Sequence, residues 1–243
     1  MLIVGLTGGI ACGKSTVSKE LQTKYNLKII DADLIAKQVV EPGKPAYNKI
    51  IKEFKPYIPN LINEEDQTLN RANLGQYVFE NKHELKKLNS IVHPAVKYEI
   101  LKQILLSYIK LNDMIILDVP LLFESKLYLI CGIIITVSIS PQILQIKRLI
   151  ERNPELTELD AKNRINNQMS MDERNYKSDY ILDNSGSLKD LTISIEKLIK
   201  KIKPNKIWTI LDLIPPIGLL SALYTFVTRR IIEKYKNKDL KQE

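Results

Sequence analysis

A chain of 243 residues with 44% hydrophobic content can bury one full core with insertions, or one and a half. Its formal charge of +8 suits phosphate-rich ligands or anionic membranes, but no polybasic block interleaved with aromatics marks a nucleic-acid footprint, so no nucleic-acid partner is expected. The two cysteines, Cys12 and Cys131, lack metal-ligand spacing and argue against a disulfide scaffold, which makes a reducing interior the default.

Leu2, Ile3 and Val4 read as a short buried strand, and no signal or transit peptide is expected before it. The strand runs into "GLTGGIACGKSTV", residues 5–17, and then into "KSTVSKELQTKYN", which has helical composition. Strand, glycine loop and helix are the context in which Gly8-x-x-x-x-Gly13-Lys14-Ser15 forms a phosphate cradle. The chain holds nine glycines and spends four of them here. Gly8 and Gly13 allow turns and close backbone approach that a Cβ would obstruct. Backbone N–H groups then face an anion at a helix N-terminus. The candidate nucleotide-binding set is Gly8, Gly9, Ile10, Ala11, Cys12, Gly13, Lys14, Ser15 and Thr16. Lys14 would reach the β- and γ-phosphates, and Ser15 would ligate Mg²⁺. The Cys12 thiol either meets alkylating reagents there or tucks under the loop.

"LKIID", residues 27–31, is a second short strand. Two strands joined by one helix favour a parallel sheet, with ligands at the carboxyl ends of the strands. Asp31 and Asp33 close that strand, so one carboxylate can face the ligand while the other caps the helix "LIAKQVV". From Glu41 to Tyr108 the pattern turns helical, with Pro42, Pro45, Pro56 and Pro59 punctuating short segments. Two long stretches, "ANLGQYVFENKHELKKLNSIV" and "AVKYEILKQILLSYI", complete an insertion over about 34–110. His93, before Pro94, reads as a helix-end histidine or a substrate contact.

"MIILDVPLLFE" (114–124) and "GIIITVSI" (132–139) return to the sheet. Asp118 either acts on Mg²⁺ through water or is structural. Residues 141–180 are charged and helical, with Arg148 and Arg152 four apart on one face, followed by Arg164 and Arg174. Charge patterning alone makes this a solvated surface. In a P-loop kinase, a lid over about 145–178 would use such arginines on the transferring phosphoryl group. "YILDN", residues 180–184, is a last strand before an "SGS" turn and the helix "LKDLTISIEKLIKKI".

Along residues 1–200 the chain resembles dephospho-coenzyme A kinases, through "GLTGGIACGKST", "DADLIAKQVVEPG", "LNRANLGQYVF", "LNSIVHP", "LDVPLLFE", "QIKRLIERN" and "SDYILDNSGS". The resemblance implies an α/β fold of the P-loop nucleoside-monophosphate-kinase type, with a parallel sheet, a helical coenzyme A domain and a lid. It implies transfer of the ATP γ-phosphoryl group, with Mg²⁺, to the ribose 3′-hydroxyl of dephospho-coenzyme A. On that basis Asp33 matches the residue that orients and deprotonates the hydroxyl, and Lys14, Arg148 and Arg152 join it in catalysis. Arg71, His93 and the loop Pro120, Leu121, Leu122 and Phe123 match substrate positions. Asn184 and Gly186 match the adenine side. Ala11 stands where a glycine is common, and Ser178 where an alanine is usual.

A GTPase would need a guanine clamp after its switch, yet "NKHE" at residue 81 precedes "DNSG". Kinases of other small hydroxyl substrates, such as shikimate or gluconate, lack reason for the long helical insertion. A nucleotide-gated membrane-associated protein is the third alternative, and the tail suggests it. Residues 204–243 carry a net charge of +3. From Ile207 to Val227 only Asp212 is charged, over the roughly 20 residues that cross a bilayer as a helix. Pro215 and Pro216 would kink such a span. The expectation is a catalytic domain, 1–203, on the cytoplasmic side, anchored to an intracellular membrane through 207–227. A helix packed back on the catalytic domain, with its apolar side buried, is the alternative.

Overall fold

The computed structural model describes residues 1–212 and 214–239. Strands β1 (Leu2–Gly8), β3 (Met114–Asp118) and β4 (Ile133–Ser138) are near-continuous buried runs, because both faces of a parallel sheet are covered. With β2 (Lys28–Asp31) and β5 (Tyr180–Asp183) they form a five-stranded sheet of order β2-β3-β1-β4-β5. β1 pairs in parallel with β3, Leu6 opposite Asp118, and with β4, Gly8 opposite Val137. Thus Gly8 and Asp118 end their strands at one edge. This is the α/β parallel-sheet fold the sequence leads one to expect.

Two compact units are present: Met1–Ile29 with Ser107–Glu243, and Ile30–Leu106. In the first, α1 (Lys14–Tyr25) buries Val17 and Leu21 in the same core as Val4 and Leu6 of β1. Helix α9 (Leu188–Ile202) contributes Leu191, Ile195, Leu198, Ile199 and Ile202, a helical-period stripe that starts from a Ser187–Asp190 capping box. The first unit also holds α6 (Gln142–Arg152), α7 (Glu158–Asn166) and α8 (Met171–Lys177). The "MIILDVPLLFE" run leaves the sheet after Asp118. Pro120 has no N–H for the ladder, and the chain coils so that Ser125 N donates to Leu121 O at 3.0 Å.

The second unit holds α2 (Ala32–Gln38), α3 (Pro45–Phe54), α4 (Arg71–Glu80) and most of α5 (Lys82–Ile109), around Tyr47, Ile50, Phe54, Leu61, Leu74 and Val78. Two details differ from the sequence expectation. The long stretch from residue 72 breaks at Asn81, whose extended backbone ends α4 and whose side chain accepts from His83 N at 3.1 Å. Pro94 then lies inside α5, so His93 is a mid-helix residue and not a helix-end one. The proline removes one helical hydrogen bond, but Leu85, Leu88, Ile91 and Val92 pack the preceding turns onto the core. Packing wins.

The tail forms α10 (Lys206–Asp212) and α11 (Pro215–Asp239), while Leu213 and 240–243 lie outside the described residues. Among the described residues no helix is long and apolar enough to cross a membrane. The expected span over 207–227 is therefore corrected. Its one acid, Asp212, accepts from the Met1 ammonium at 3.0 Å, and its carbonyl accepts from the Tyr108 hydroxyl at 2.6 Å. Helix α11 is also turned inside out. Its buried side carries Arg229, 6% exposed, which donates to Cys131 O (2.8 Å), Gly132 O (2.6 Å) and both carboxylate oxygens of Asp179 (3.0 and 2.5 Å). Asp179 in turn accepts from Ile134 N, at the start of β4. Leu219, Leu220, Leu223 and Tyr224 point outward instead. The helix is packed back as the alternative had it, but its apolar side is exposed where that alternative buried it.

Arg229→Ala should therefore cost about 3 kcal/mol, since it strips a half-buried carboxylate and two carbonyls of their donor. In a chain of this size that lowers Tm by roughly 6–12 °C in a thermal melt. A chain ending at Lys203 should melt at least as early, and an unchanged Tm for either would show that α11 adds nothing to stability.

Candidate active site

The loop from Gly9 to Gly13 joins β1 to α1. Gly13 has φ +87°, in the left-handed region, and a Cβ there would overlap the Asn184 amide. A Cβ on Gly8 would lie 2.9 Å from the Val137 carbonyl oxygen. Both positions demand glycine. Ala11 also sits at positive φ, 59°, which is the physical reason a glycine suits that place. No side chain caps the N-terminus of α1, so its dipole faces the loop unblocked. Ser15 and Thr16 are exposed on its first turn.

Lys14 does not project into open solvent. Its ammonium pairs with the Asp118 carboxylate, whose side chain is only 3% exposed. The strand ends are fastened by two further bonds, Val119 N to Leu6 O (3.0 Å) and Thr7 Oγ1 to Pro120 O (2.9 Å). Asn184, 5% exposed, donates to Cys12 O at 2.9 Å, and its own carbonyl accepts from Arg148 at 3.0 Å. Arg152 lies one turn further along α6 and is exposed, as is Gly186. The Ile10 backbone is held on both sides, its N–H by Gln168 Oε1 (2.9 Å) and its carbonyl by Gln145 Nε2 (2.8 Å).

Cys12 is buried, which pushes its thiol up to about 11, against smaller opposing effects of Arg174, the Gly9 backbone and Arg148. Of the two alternatives for this thiol, its burial supports the one tucked under the loop, because the thiolate is the nucleophile and a raised value starves it. Alkylation at pH 8 should be slow with or without ATP, and mass spectrometry showing protection by ATP would contradict this. Cys131 is equally buried and pushed up to about 12.

In the second unit, Asp31 caps α2, accepting from Asp33 N and Leu34 N, both at 2.9 Å. Asp33 stands exposed in the first turn. Arg71 opens α4 and donates to Lys37 O at 3.2 Å, and His93 is exposed on α5. In the first unit, Leu122 and Phe123 are buried, with Phe123 against Tyr128 at 5.5 Å between ring centres, while Pro120 is half-buried. Sequence reading missed Thr7, Gln145 and Gln168, neutral groups with no spacing to betray them. It named Arg174 as part of a charged surface or as one of the lid arginines, yet this side chain is wholly buried.

A family model described as dephospho-CoA kinase matches residues 2–190. The chain belongs to the dephospho-CoA kinase family. The kinase is 54% identical over 238 residues to Dephospho-CoA kinase CAB5 of Saccharomyces cerevisiae, covering 98% of each chain. A dephospho-CoA kinase of Bacillus cereus is 41% identical, over 87% of this chain and 99% of that one. The solved dephospho-CoA kinase of Campylobacter jejuni superposes with a TM-score of 0.64 at 31% identity, over 83% of this kinase and 96% of that chain.

Proposed function

We infer that this kinase transfers the γ-phosphoryl group of ATP to the 3′-hydroxyl of the ribose in dephospho-CoA, giving CoA and ADP. The observation that carries the reading is the glycine loop at an uncapped helix N-terminus, with Lys14 held against Asp118 beside it. Lys14 would exchange Asp118 for the β- and γ-phosphates when ATP enters. The ribose oxygen bonds to the γ-phosphorus as the bond to the β-phosphate oxygen breaks, and the hydroxyl proton passes to Asp33. The transition state is loose, so Asp33 needs to align the hydroxyl more than to ionise it early. Arg148 and Arg152, on one face of α6, would stabilise charge on the transferring group, with residues 145–178 acting as the lid. Residues 34–110 would bind the acceptor, using Arg71 and His93, with Pro120 and Phe123 in the loop after β3. Asn184 and Gly186 would lie toward the adenine, Asn184 also bracing the loop through Cys12.

The Ser15 hydroxyl and the Asp118 carboxylate are oxygen donors of the kind Mg²⁺ takes, and they would hold the ion. When bound with ATP, the ion draws charge off the β- and γ-phosphates. A coupled ADP-release assay with dephospho-CoA, adenosine, shikimate and gluconate tests the function. Turnover with dephospho-CoA alone is expected, and preference for another hydroxyl would overturn it.

The outward face of α11 favours a second reading, for location. We propose that Leu219, Leu220, Leu223, Tyr224 and Val227, with Arg230 and Lys234 beside them, rest on an anionic bilayer surface without crossing it. An amphipathic helix attaches this way through apolar contact plus charge attraction. Vesicles containing phosphatidylserine should carry the full-length kinase down on sedimentation, and Leu223→Glu should release it. Equal recovery of both proteins in the supernatant would end the idea.

A further inference from the structure

Arg174, on α8, is the largest wholly buried side chain among those described, and it is charged. Its Nη1 donates to Pro120 O at 2.9 Å and Thr7 Oγ1 at 3.2 Å, and its Nη2 to Met169 O at 3.4 Å. The Glu124 carboxylate stands 3.8 Å from Nη2, and Nε is buried with no partner. Taking a guanidinium out of water for two carbonyls, a hydroxyl and one distant acid is unfavourable, and an apolar residue of the same size would fill the space at less cost. The charge therefore calls for a reason beyond packing.

Its partners supply one. Thr7 is the last residue before Gly8, Pro120 lies two residues past Asp118, and Met169 precedes α8. One guanidinium thus ties the strand end that launches the phosphate loop to the strand end that carries the partner of Lys14. It ties both to the chain returning from α7. Burial holds the Arg174 pKa below its ordinary value while Glu124 opposes this, and its charge is felt at the Cys12 thiol inside the loop. In a protein interior a unit charge is screened far less than in water, so it can act on a polyphosphate bound at the loop.

We propose that Arg174 is a positioning residue for phosphoryl transfer: it fixes the ends of β1 and β3 against each other and sets a permanent positive charge beneath the phosphate loop. This rests on the reading of that loop as the ATP site. Arg174→Met keeps the volume and removes charge and donors, whereas Arg174→Lys keeps the charge but loses the planar fork. In the full-length protein, Arg174→Met should weaken ATP binding by roughly tenfold in calorimetry. Its kcat should fall by more than tenfold, with KM for dephospho-CoA unchanged. Arg174→Lys should restore most of the ATP affinity and only part of kcat. Thr7→Val, which deletes one acceptor of Arg174 together with the Thr7–Pro120 hydrogen bond and leaves Arg174 in place, should lower kcat by about threefold with at most a small fall in Tm. Wild-type kcat and ATP affinity in folded Arg174→Met would overturn the proposal. Should the Arg174 variants fail to fold, an unchanged kcat in Thr7→Val overturns it. The calorimetric comparison needs no acceptor, so a wrong acceptor assignment leaves it readable.

Discussion

Lys14→Ala should lower kcat by about a hundredfold to a thousandfold, because it deletes a charged donor aimed at the transferring phosphates. The ion pair with Asp118 adds a second effect. Removing the ammonium leaves a carboxylate with a 3% exposed side chain short of its cation, which costs about 3 kcal/mol. The two effects separate cleanly. Adding Asp118→Asn to Lys14→Ala should return most of the lost Tm, since a neutral amide needs no counter-charge there. It should return none of the turnover. Steady-state kinetics and thermal melts on the single and double variants read the two effects independently. A kcat within tenfold of wild type in Lys14→Ala would contradict the phosphate-site assignment.

Asp33→Asn should cost about a hundredfold to ten-thousandfold in kcat, the range expected for losing a general base. ATP affinity should stay close to wild type, because the phosphate loop and Lys14 belong to the other compact unit. Asp31→Asn is the control. Asp31 is already committed to the N–H groups of Asp33 and Leu34, and asparagine caps a helix about as well as aspartate. Its kcat should remain near wild type. Equal losses in the two variants would show that their roles are divided wrongly.

Much of this molecule is legible in the residue order, for physical reasons. Runs such as "MIIL" and "GIIITVSI" can only be strands covered on both faces, and the glycines of the loop announce turns that side chains forbid. What escaped has one of two causes. Some features need a partner far along the chain: the Lys14–Asp118 pair spans 104 positions, and Arg174 reaches Thr7 across 167. No periodicity encodes such meetings. Others depend on which side of an element faces inward. Counting apolar residues in the tail gave a bilayer-length stretch, yet the helix buries Arg229 and turns its leucines out. Pro94 misled similarly, since packing of the turns before it outweighs the local break. The site residues divide along the same line. The loop was readable as a pattern, while its supports, Gln145, Gln168 and Arg174, were not.

The position of β1 has a consequence for how the chain reaches its native state. It precedes the other four strands of its sheet in the chain and lies at their centre, with Leu2 registered on Met114 and Val4 on Ile133. Neither ladder can close until those distant segments have left the ribosome, so contact order is high and the rate of folding correspondingly low. In the interval an apolar strand with two open edges is exposed to association with other chains. Chaperone supply should therefore govern yield at high expression. Substitutions along β1 should register first as protein lost to aggregates, and only later as a slower enzyme.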